Sequence, residues 1–162
     1  MSSFLPRLSW PAGSRPGAQA QTTAWPALIF TPVVTNLHLP VHVTHAGDGS
    51  GRLFIVEQRG TIRIQQQAQQ LKTFLDIQSQ VRSPFNNNGG FEEGLLSVAF
   101  PPNYAAKGYF YVYYTNLNGD NQVSRFHISA DPDVADAASE ELILYLAHPS
   151  YNNHNGGQIF FS

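Results

Sequence analysis

The loop at residues 152–157 contains the side chain of this chain that is best suited to proton transfer, His154, followed by Gly156 and Gly157. An imidazole has an ordinary pKa of about 6.5, so it can accept a proton at neutral pH without a special environment. Glycines have no side chain and let a substrate or a flat cofactor approach the backbone closely. The sequence therefore predicts that His154 is a general base. The alternative is a loop histidine that only binds a neighbouring backbone group.

Two other loops, at residues 37–42 and 88–94, also precede apolar strands and contain polar side chains. In radially stacked sheets such loops meet near one axis, where a rigid scaffold often carries a functional site. Adjacent side chains on an extended segment point to opposite sides, so of two neighbouring glutamates we predict that Glu92 faces the axis. The predicted cluster of bases, carboxylates and amides consists of His38, His42, Glu92, Glu93, Asn152, Asn153, His154 and Asn155.

Two further polar features are predicted to be structural. His42 and His45 fall on opposite sides of one strand, so one is expected at the axis or at a sheet interface and the other on the far side. Asp48 lies in a Gly-Asp-Gly-Ser-Gly segment that lacks the remaining oxygen ligands of a calcium loop. We therefore predict a hairpin turn at this segment.

Several common catalytic patterns do not occur in the sequence. The chain has no cysteine, which excludes disulfides, zinc–thiolate sites and cysteine nucleophiles. It also has no glycine-rich phosphate loop, no His-Glu-x-x-His pattern and no Gly-x-Ser-x-Gly pattern. Phosphoryl transfer and acyl-serine chemistry therefore have no support, and no metal site is predicted within these residues.

The chain is predicted to be almost entirely β. From residue 28 onward, runs of β-branched and aromatic residues alternate with turn clusters, and no segment shows a helical apolar period. Two groups of four strands are predicted, at residues 41–46, 52–58, 61–65 and 73–77, and at residues 95–100, 108–115, 122–129 and 140–147. A further strand at residues 157–161 would begin a third group.

A repeat of four antiparallel strands over roughly 50 residues or more is typical of propeller blades. One such sheet cannot bury both of its faces, whereas radially stacked sheets cover each other. We therefore predict a β-propeller, of which this chain contains about the first two blades and the first strand of a third. Because a terminal strand leaves backbone groups unpaired, we expect the chain to be the front part of a longer protein. A complete small β-sandwich is the alternative.

Composition argues against two kinds of partner. Nine basic and eleven acidic residues give a formal charge of −2 without a basic stripe, so nucleic-acid binding is not expected. No apolar run is long enough to span a bilayer. Residues 1–27 are rich in Ser, Pro, Gly, Ala and Gln, so we predict a disordered or an export and processing segment, with a cleavage-like Ala-Gln-Ala at residues 18–20. The folded part is predicted to be residues 28–162.

Five short motifs occur in a fixed order along the chain. They are Pro-Val-His at residues 40–42, Gly-Ser-Gly-Arg-Leu-Phe-Ile-Val-Glu-Gln-Arg-Gly at 49–60, Phe-Leu-Asp-Ile at 74–77, Glu-Gly-Leu-Leu-Ser-Val-Ala-Phe at 93–100 and Asn-His-Asn-Gly-Gly at 153–157. None is specific alone, but in this order and with these gaps they strongly resemble the glucose/sorbosone dehydrogenase family. The resemblance covers residues 28–162 and the N-terminal part of the family domain, and it implies a six-bladed propeller.

The resemblance also implies a soluble quinoprotein, periplasmic or extracellular, in which pyrroloquinoline quinone (PQQ) lies flat over the channel mouth and an aldose or related sugar is oxidised. It implies that His154 takes a proton from the sugar hydroxyl while hydride passes to the quinone. Glu92 and Asn153 would contact the cofactor or the substrate. Glucose-oxidising members have an amide at the position of Glu92, so the carboxylate here argues against a preference for glucose.

By the same resemblance, the calcium ligands, the cations that bind the quinone and the carboxylate that orients the base would lie beyond Ser162. A histidine without these partners is a poor catalyst, so we expect that residues 1–162 alone neither bind the quinone tightly nor oxidise sugar. The alternative function is a non-catalytic propeller, similar to the hedgehog-interacting branch of the same superfamily, that binds a protein or carbohydrate partner. The histidine of the 153–157 motif favours the enzyme.

Overall fold

A computed structural model describes residues 25–66, 70–148 and 150–162. The chain divides into two units, Met1–Thr31 and Pro32–Ser162. In the first unit the described residues, 25–31, form neither helix nor strand. The export or processing segment predicted at residues 1–27 lies outside the described residues except for its last three positions, and the predicted cleavage-like site lies wholly outside them.

The described part of the second unit folds into two four-stranded antiparallel sheets, each with its strands in chain order. The first sheet contains β1 (Pro40–Thr44), β2 (Leu53–Glu57), β3 (Thr61–Gln65) and β4 (Leu71–Asp76). The second contains β5 (Leu95–Ala99), β6 (Tyr109–Thr115), β7 (Asn121–Ile128) and β8 (Ala135–Leu146), with the four-residue helix α1 (Tyr104–Lys107) between β5 and β6. The prediction of an all-β partial propeller with two four-stranded blades is confirmed.

Apolar residues that alternate along the strands place the hydrophobic core between the two sheets. In β3, Ile62 and Ile64 are fully buried while Arg63 is half-buried. Across the interface, the ring centroids of Phe74 and Phe110 lie 4.9 Å apart, in the range of favourable aromatic pairs. The two sheets therefore share one core, which fixes the position of the loops at their ends.

Most strand ends lie within two residues of the predicted ones, and the structure differs more widely at two places. β8 begins at Ala135, five residues before the predicted start, because Ala135 and Asp136 pair with Ile128 and His127 of β7. Its first residues, Ala-Asp-Ala-Ala-Ser, have weak strand propensity, so only the neighbouring strand specifies this pairing. The strand predicted at residues 157–161 is not formed, since this segment pairs with no strand in the described part of the chain.

The outer strand of the second sheet presents an apolar edge. Among the described strands, β8 pairs only with β7. Its last five residues are all between 46% and 56% exposed, and they are Leu142, Ile143, Leu144, Tyr145 and Leu146. This apolar edge ends immediately before the loop that contains His154.

A polar cluster provides a second link between the sheets. The guanidinium of Arg52, just before β2, binds the carboxylate of Asp48 at 2.5 Å and that of Asp133, in the loop before β8, at 2.8 Å. The Asp48 carboxylate also accepts the backbone N–H of Ser50 at 3.0 Å, which closes the predicted turn. Arg52 therefore joins a turn of the first sheet to a loop of the second.

We expect acid to weaken this cluster. Burial raises the pKa of Asp48, but hydrogen bonds from Ser50 and Arg52 outweigh burial and lower the pKa from 3.8 to about 2. Because the folded-state pKa lies below the unfolded-state value, the unfolded chain binds more protons in acid. The stabilisation is thus complete above about pH 5 and is lost as the pH falls towards 2. Allowing for solvent screening, we expect a loss of about 1 kcal/mol.

Urea unfolding at several pH values between 6 and 3 checks this expectation. In Asp48→Asn, the free energy of unfolding should fall less steeply with acid than in wild type. The matched control is Asp136→Asn, which changes an exposed carboxylate on β8 and should keep the full wild-type dependence. An Asp48→Asn variant with the wild-type acid dependence would contradict the assignment.

Candidate functional site

Three loops of the sequence, at residues 37–42, 88–94 and 152–156, come together in the structure. The first two are joined through Gln58 at the end of β2. Its backbone N–H donates to the Leu39 carbonyl at 3.0 Å, and its side-chain amide donates to the carbonyls of Phe91 at 2.7 Å and Glu93 at 2.9 Å. Gln58 was not predicted as part of the site; the only sequence signal was a polar pair, Glu57 and Gln58, after a buried apolar run.

The second and third loops contact each other directly. The carboxylate of Glu92 accepts the backbone N–H of His154 at 2.6 Å. A Cβ atom added to Gly90 would lie 2.5 Å from the Cβ of Asn152, so only a glycine allows the two loops to approach this closely. The structure thus brings the loop of Glu92 against the loop of Asn152 and His154, although 62 residues separate Glu92 from His154.

The two neighbouring glutamates have different surroundings. Glu92 is exposed, whereas Glu93 is fully buried, accepts the backbone N–H of Gly90 and lies 3.3 Å from the Nε of Arg82. The segment is a turn, closed by the Glu93 N–H and the Gly90 carbonyl at 3.1 Å, and not the extended segment that we assumed. The two glutamates therefore differ in burial within a turn, and that Glu92 faces the axis stays a prediction.

His154 has an exposed side chain on a backbone that is held from both sides. Its φ of 60° lies in the left-handed region. After it, the carbonyl of Asn155 accepts the hydroxyl of Tyr113 at 2.6 Å, and the carbonyl of Gly157 accepts the hydroxyl of Ser97. The imidazole forms no hydrogen bond with any residue that the structure describes. The predicted alternative, an imidazole tied to a neighbouring backbone group, is therefore not what the described residues show.

The remaining histidines of the predicted cluster have structural contacts. His42 lies between β1 and β5, where its Nδ1 accepts the backbone N–H of Val98 at 3.3 Å, and burial lowers its pKa, which favours the neutral ring. His45 is exposed on the other side, and its Nδ1 accepts the N–H of Gly47 at 3.1 Å. His38 is exposed and contributes only its backbone N–H, to Glu57 at 2.7 Å. None of these rings has a described contact with His154.

Two amides of the loop have no described side-chain partner. The Asn153 side chain is partly exposed and forms no hydrogen bond among the described residues. Asn155 is only 3% exposed, and neither Nδ2 nor Oδ1 has a described partner. An unpaired buried amide costs about 1–3 kcal/mol, so a group that could bind Asn155 would relieve this cost. Asn155 is therefore the residue here that most needs a further partner.

A cavity of about 390 Å³ adjoins the loop. It lies between β1, β5 and the end of the His154 loop, and its lining consists of Val41, His42, Leu96, Ser97, Gly156, Gly157 and Gln158. Ser97, which binds both the Gly157 carbonyl and, at 3.3 Å, the N–H of Ile159, was not predicted from the sequence. Its position within an apolar strand was the available signal.

We expect Gly157→Ala to displace this loop. Gly157 has a φ of +124°, and an added Cβ would lie 2.8 Å from the Cβ of Leu96, so the methyl group meets both backbone strain and a clash. The expected destabilisation is about 2–3 kcal/mol. Gly49→Ala is the matched control, because Gly49 also has a positive φ, +76°, but has open space around its Cβ. Urea unfolding should show a clearly larger loss of unfolding free energy for Gly157→Ala than for Gly49→Ala. Equal losses would contradict the close approach of Gly157 to Leu96.

Two kinds of feature are absent from the described residues. No group of three or more His, Cys, Asp or Glu side chains is placed there to hold a metal ion. No helix in the described part of the chain has the length and apolar character needed to cross a membrane.

Solved structures and curated proteins resemble this chain. An oxidoreductase (glucose dehydrogenase) from Thermus thermophilus is 28% identical with a TM-score of 0.61, over 80% of this chain and 35% of that protein. The PQQ-bound aldose sugar dehydrogenase of Streptomyces coelicolor is 24% identical with a TM-score of 0.65, over 83% and 38%. Mouse Hedgehog-interacting protein is 36% identical over 83% of this chain, and the human protein is 36% identical over 80%.

The chain spans about 20% of the length of each Hedgehog-interacting protein. It spans between 35% and 38% of the two dehydrogenase structures. The family model described as glucose/sorbosone dehydrogenase matches residues 37–162, which include both sheets and all three loops of the site. The chain therefore belongs to the glucose/sorbosone dehydrogenase family.

Proposed function

We propose that this chain forms the N-terminal part of a sugar-oxidising quinoprotein, in which His154 is the general base. The observation that supports this best is the exposed imidazole of His154, free of described partners, on a loop whose backbone is held by Glu92 and Tyr113. A general base needs both an accessible nitrogen and a fixed position. Because the chain spans 38% or less of the dehydrogenases described above, catalysis is expected from a longer polypeptide that contains these residues.

The residues present fit a planar quinone such as PQQ. Neither the donor nor the acceptor of the buried Asn155 amide has a partner among the described residues, and of the described atoms a Cβ added to Gly156 would meet only the Tyr113 hydroxyl, at 3.7 Å. Amide groups suit the carbonyl and carboxylate oxygens of such a molecule. Glu92 and Asn153 are the residues that we propose contact it. When bound, the quinone supplies the two-electron acceptor that no amino-acid side chain provides.

The residues of this chain contribute the removal of a proton from the sugar. A nitrogen of the His154 imidazole accepts the hydroxyl proton of the sugar carbon that is oxidised, and it passes that proton to solvent because the ring is exposed. The Asn153 side chain, which has no hydrogen-bond partner among the described residues, can bind another sugar hydroxyl and orient the reacting carbon. We propose an aldose or a related sugar as the substrate and a periplasmic or extracellular location.

Reconstitution tests this proposal in two samples. One is the 162-residue chain, and the other is the chain extended by its own downstream sequence. Both receive PQQ and Ca²⁺, and bound quinone is followed by absorbance after dialysis while aldose-dependent reduction of a dye reports turnover. We expect quinone binding and turnover in the extended protein and neither in the short chain. An extended protein that folds but retains no quinone would contradict the proposal, and turnover by the short chain would contradict the need for downstream residues.

A second candidate is a non-catalytic propeller that binds a protein partner. It is favoured by the identity to the Hedgehog-interacting proteins, 36%, which exceeds the 28% and 24% identity to the two dehydrogenases. The extended protein would then bind a Hedgehog signalling domain in a surface-based binding assay and would retain no quinone. Quinone-dependent turnover without such binding decides for the enzyme.

A further inference from the structure

The backbone of His154 is in the left-handed region, which is uncommon for any residue other than glycine. It is one of six described non-glycine residues with positive φ, and four of the other five are asparagines, which tolerate the left-handed region. A histidine in this region costs free energy of its own and stays there only when its surroundings hold it. The direction of the imidazole depends on this backbone, so the contact that holds it has a functional consequence.

That contact is the carboxylate of Glu92. Its Oε2 accepts the backbone N–H of His154 at 2.6 Å, the length of a strong charge-assisted hydrogen bond. The N–H group is the one immediately before the left-handed Cα, so the bond restrains the torsion that sets where the side chain projects. On the other side, Tyr113 holds the Asn155 carbonyl at 2.6 Å. The peptide unit before the base and the second peptide unit after it, between Asn155 and Gly156, are thus both held by hydrogen bonds.

Glu92 lies in a turn that several hydrogen bonds hold in place. The buried Glu93 carboxylate binds the Gly90 N–H, and its partner Arg82 lies 3.3 Å away. The side-chain amide of Gln58 binds the carbonyls on both sides of Glu92, those of Phe91 and Glu93. Gln58 thus ties the turn to the first sheet. Glu92, which lies in this turn, binds the His154 loop and so ties that loop to the same sheet.

We propose that Glu92 is a positioning residue for His154, whose carboxylate holds the base in its left-handed conformation and so fixes the direction of the imidazole. This inference rests on the proposed function for its catalytic consequence, but not for the restraint itself. Glu92 would then restrain the His154 backbone in addition to any contact with cofactor or sugar.

Hydrogen exchange of the His154 amide tests the restraint in the chain as it exists. We expect about tenfold faster exchange in Glu92→Ala than in wild type, because the only described acceptor of this N–H is lost. Glu92→Gln retains an acceptor oxygen and should restore most of the protection. Glu141→Ala, which removes an exposed glutamate from β8, should leave the His154 amide unchanged. Unchanged exchange in Glu92→Ala, or a Glu92→Gln variant that behaves like it, would overturn the proposal.

Steady-state kinetics of the extended protein test whether the position of His154 affects catalysis. Misplacing the base should lower kcat at least tenfold in Glu92→Ala with a smaller change in KM, and Glu92→Gln should recover most of kcat. A change confined to KM would show that Glu92 only binds ligand and would overturn the positioning role. If the wild type shows no turnover, the proposed function fails, while the exchange measurement still decides whether Glu92 restrains His154.

Discussion

Replacing His154 by alanine is expected to lower the kcat of quinone-dependent sugar oxidation by a factor of about 10² to 10⁴ in the extended protein. This is the usual contribution of a general base. The exposed imidazole has no described partner whose loss would disturb the fold, so the unfolding midpoint should stay close to that of wild type. Steady-state dye reduction at saturating sugar measures the effect, and circular dichroism confirms that the variant is folded.

His45→Ala is the matched control for this substitution. His45 is also an exposed histidine, next to the turn that follows β1, and among the described residues its ring accepts only the Gly47 N–H. Its loss should leave kcat within about twofold of wild type. An activity in His154→Ala that matches that of His45→Ala would remove His154 from the mechanism and would favour the protein-binding candidate.

The largest expected effect on stability comes from Phe110→Ala. Phe110 of β6 is fully buried, and its ring lies 4.9 Å from Phe74 of the first sheet and 6.2 Å from Phe126 of β7, measured between centroids. Removing it leaves a cavity at the interface of the two sheets, which costs about 3–5 kcal/mol. Because small domains have only about 5–15 kcal/mol of stability in total, most of the margin would be lost. The urea midpoint measures the change.

Phe85→Ala provides the comparison, since Phe85 is 57% exposed and should cost less than about 1 kcal/mol. If Phe110→Ala does not fold, Phe110→Leu, with an expected cost of about 1–2 kcal/mol, keeps the test possible. A Phe110→Leu or Phe110→Ala protein as stable as Phe85→Ala would show that the two sheets do not share the core described above.

The fold was predictable from local patterns because each blade is a simple meander. Alternation in β3 and the turn residues between strands specify which segments pair, and every predicted strand of the two blades is present. The early start of β8 was not predictable, because the weak strand formers after Ala135 are ordered by β7 and not by their own propensity.

The site was predictable only in part. The repeat placed the Glu92 and His154 loops near one axis, but the hydrogen bond runs from a backbone N–H, which no residue pattern encodes. The side chain of Gln58 donates two hydrogen bonds to backbone carbonyls and that of Tyr113 donates one, and such bonds leave no signature in the residue types. The roles proposed for Glu92, Asn153 and His154 remain predictions for the experiments above.

The apolar edge of β8 links the state of association of this chain to the geometry of its site. The outer edge of β8 pairs with no described strand, and a sheet edge flanked by leucine and isoleucine side chains is a template on which another chain can add a strand. Tyr145 of this edge and the N–H of His148 both bind the carboxylate of Asp120, at 2.5 Å and 2.7 Å, just before the His154 loop starts. The chain runs from this edge through the Asp120 contacts towards the His154 loop, so rates should be measured on a sample shown to be monomeric, in which no strand has been added beside β8.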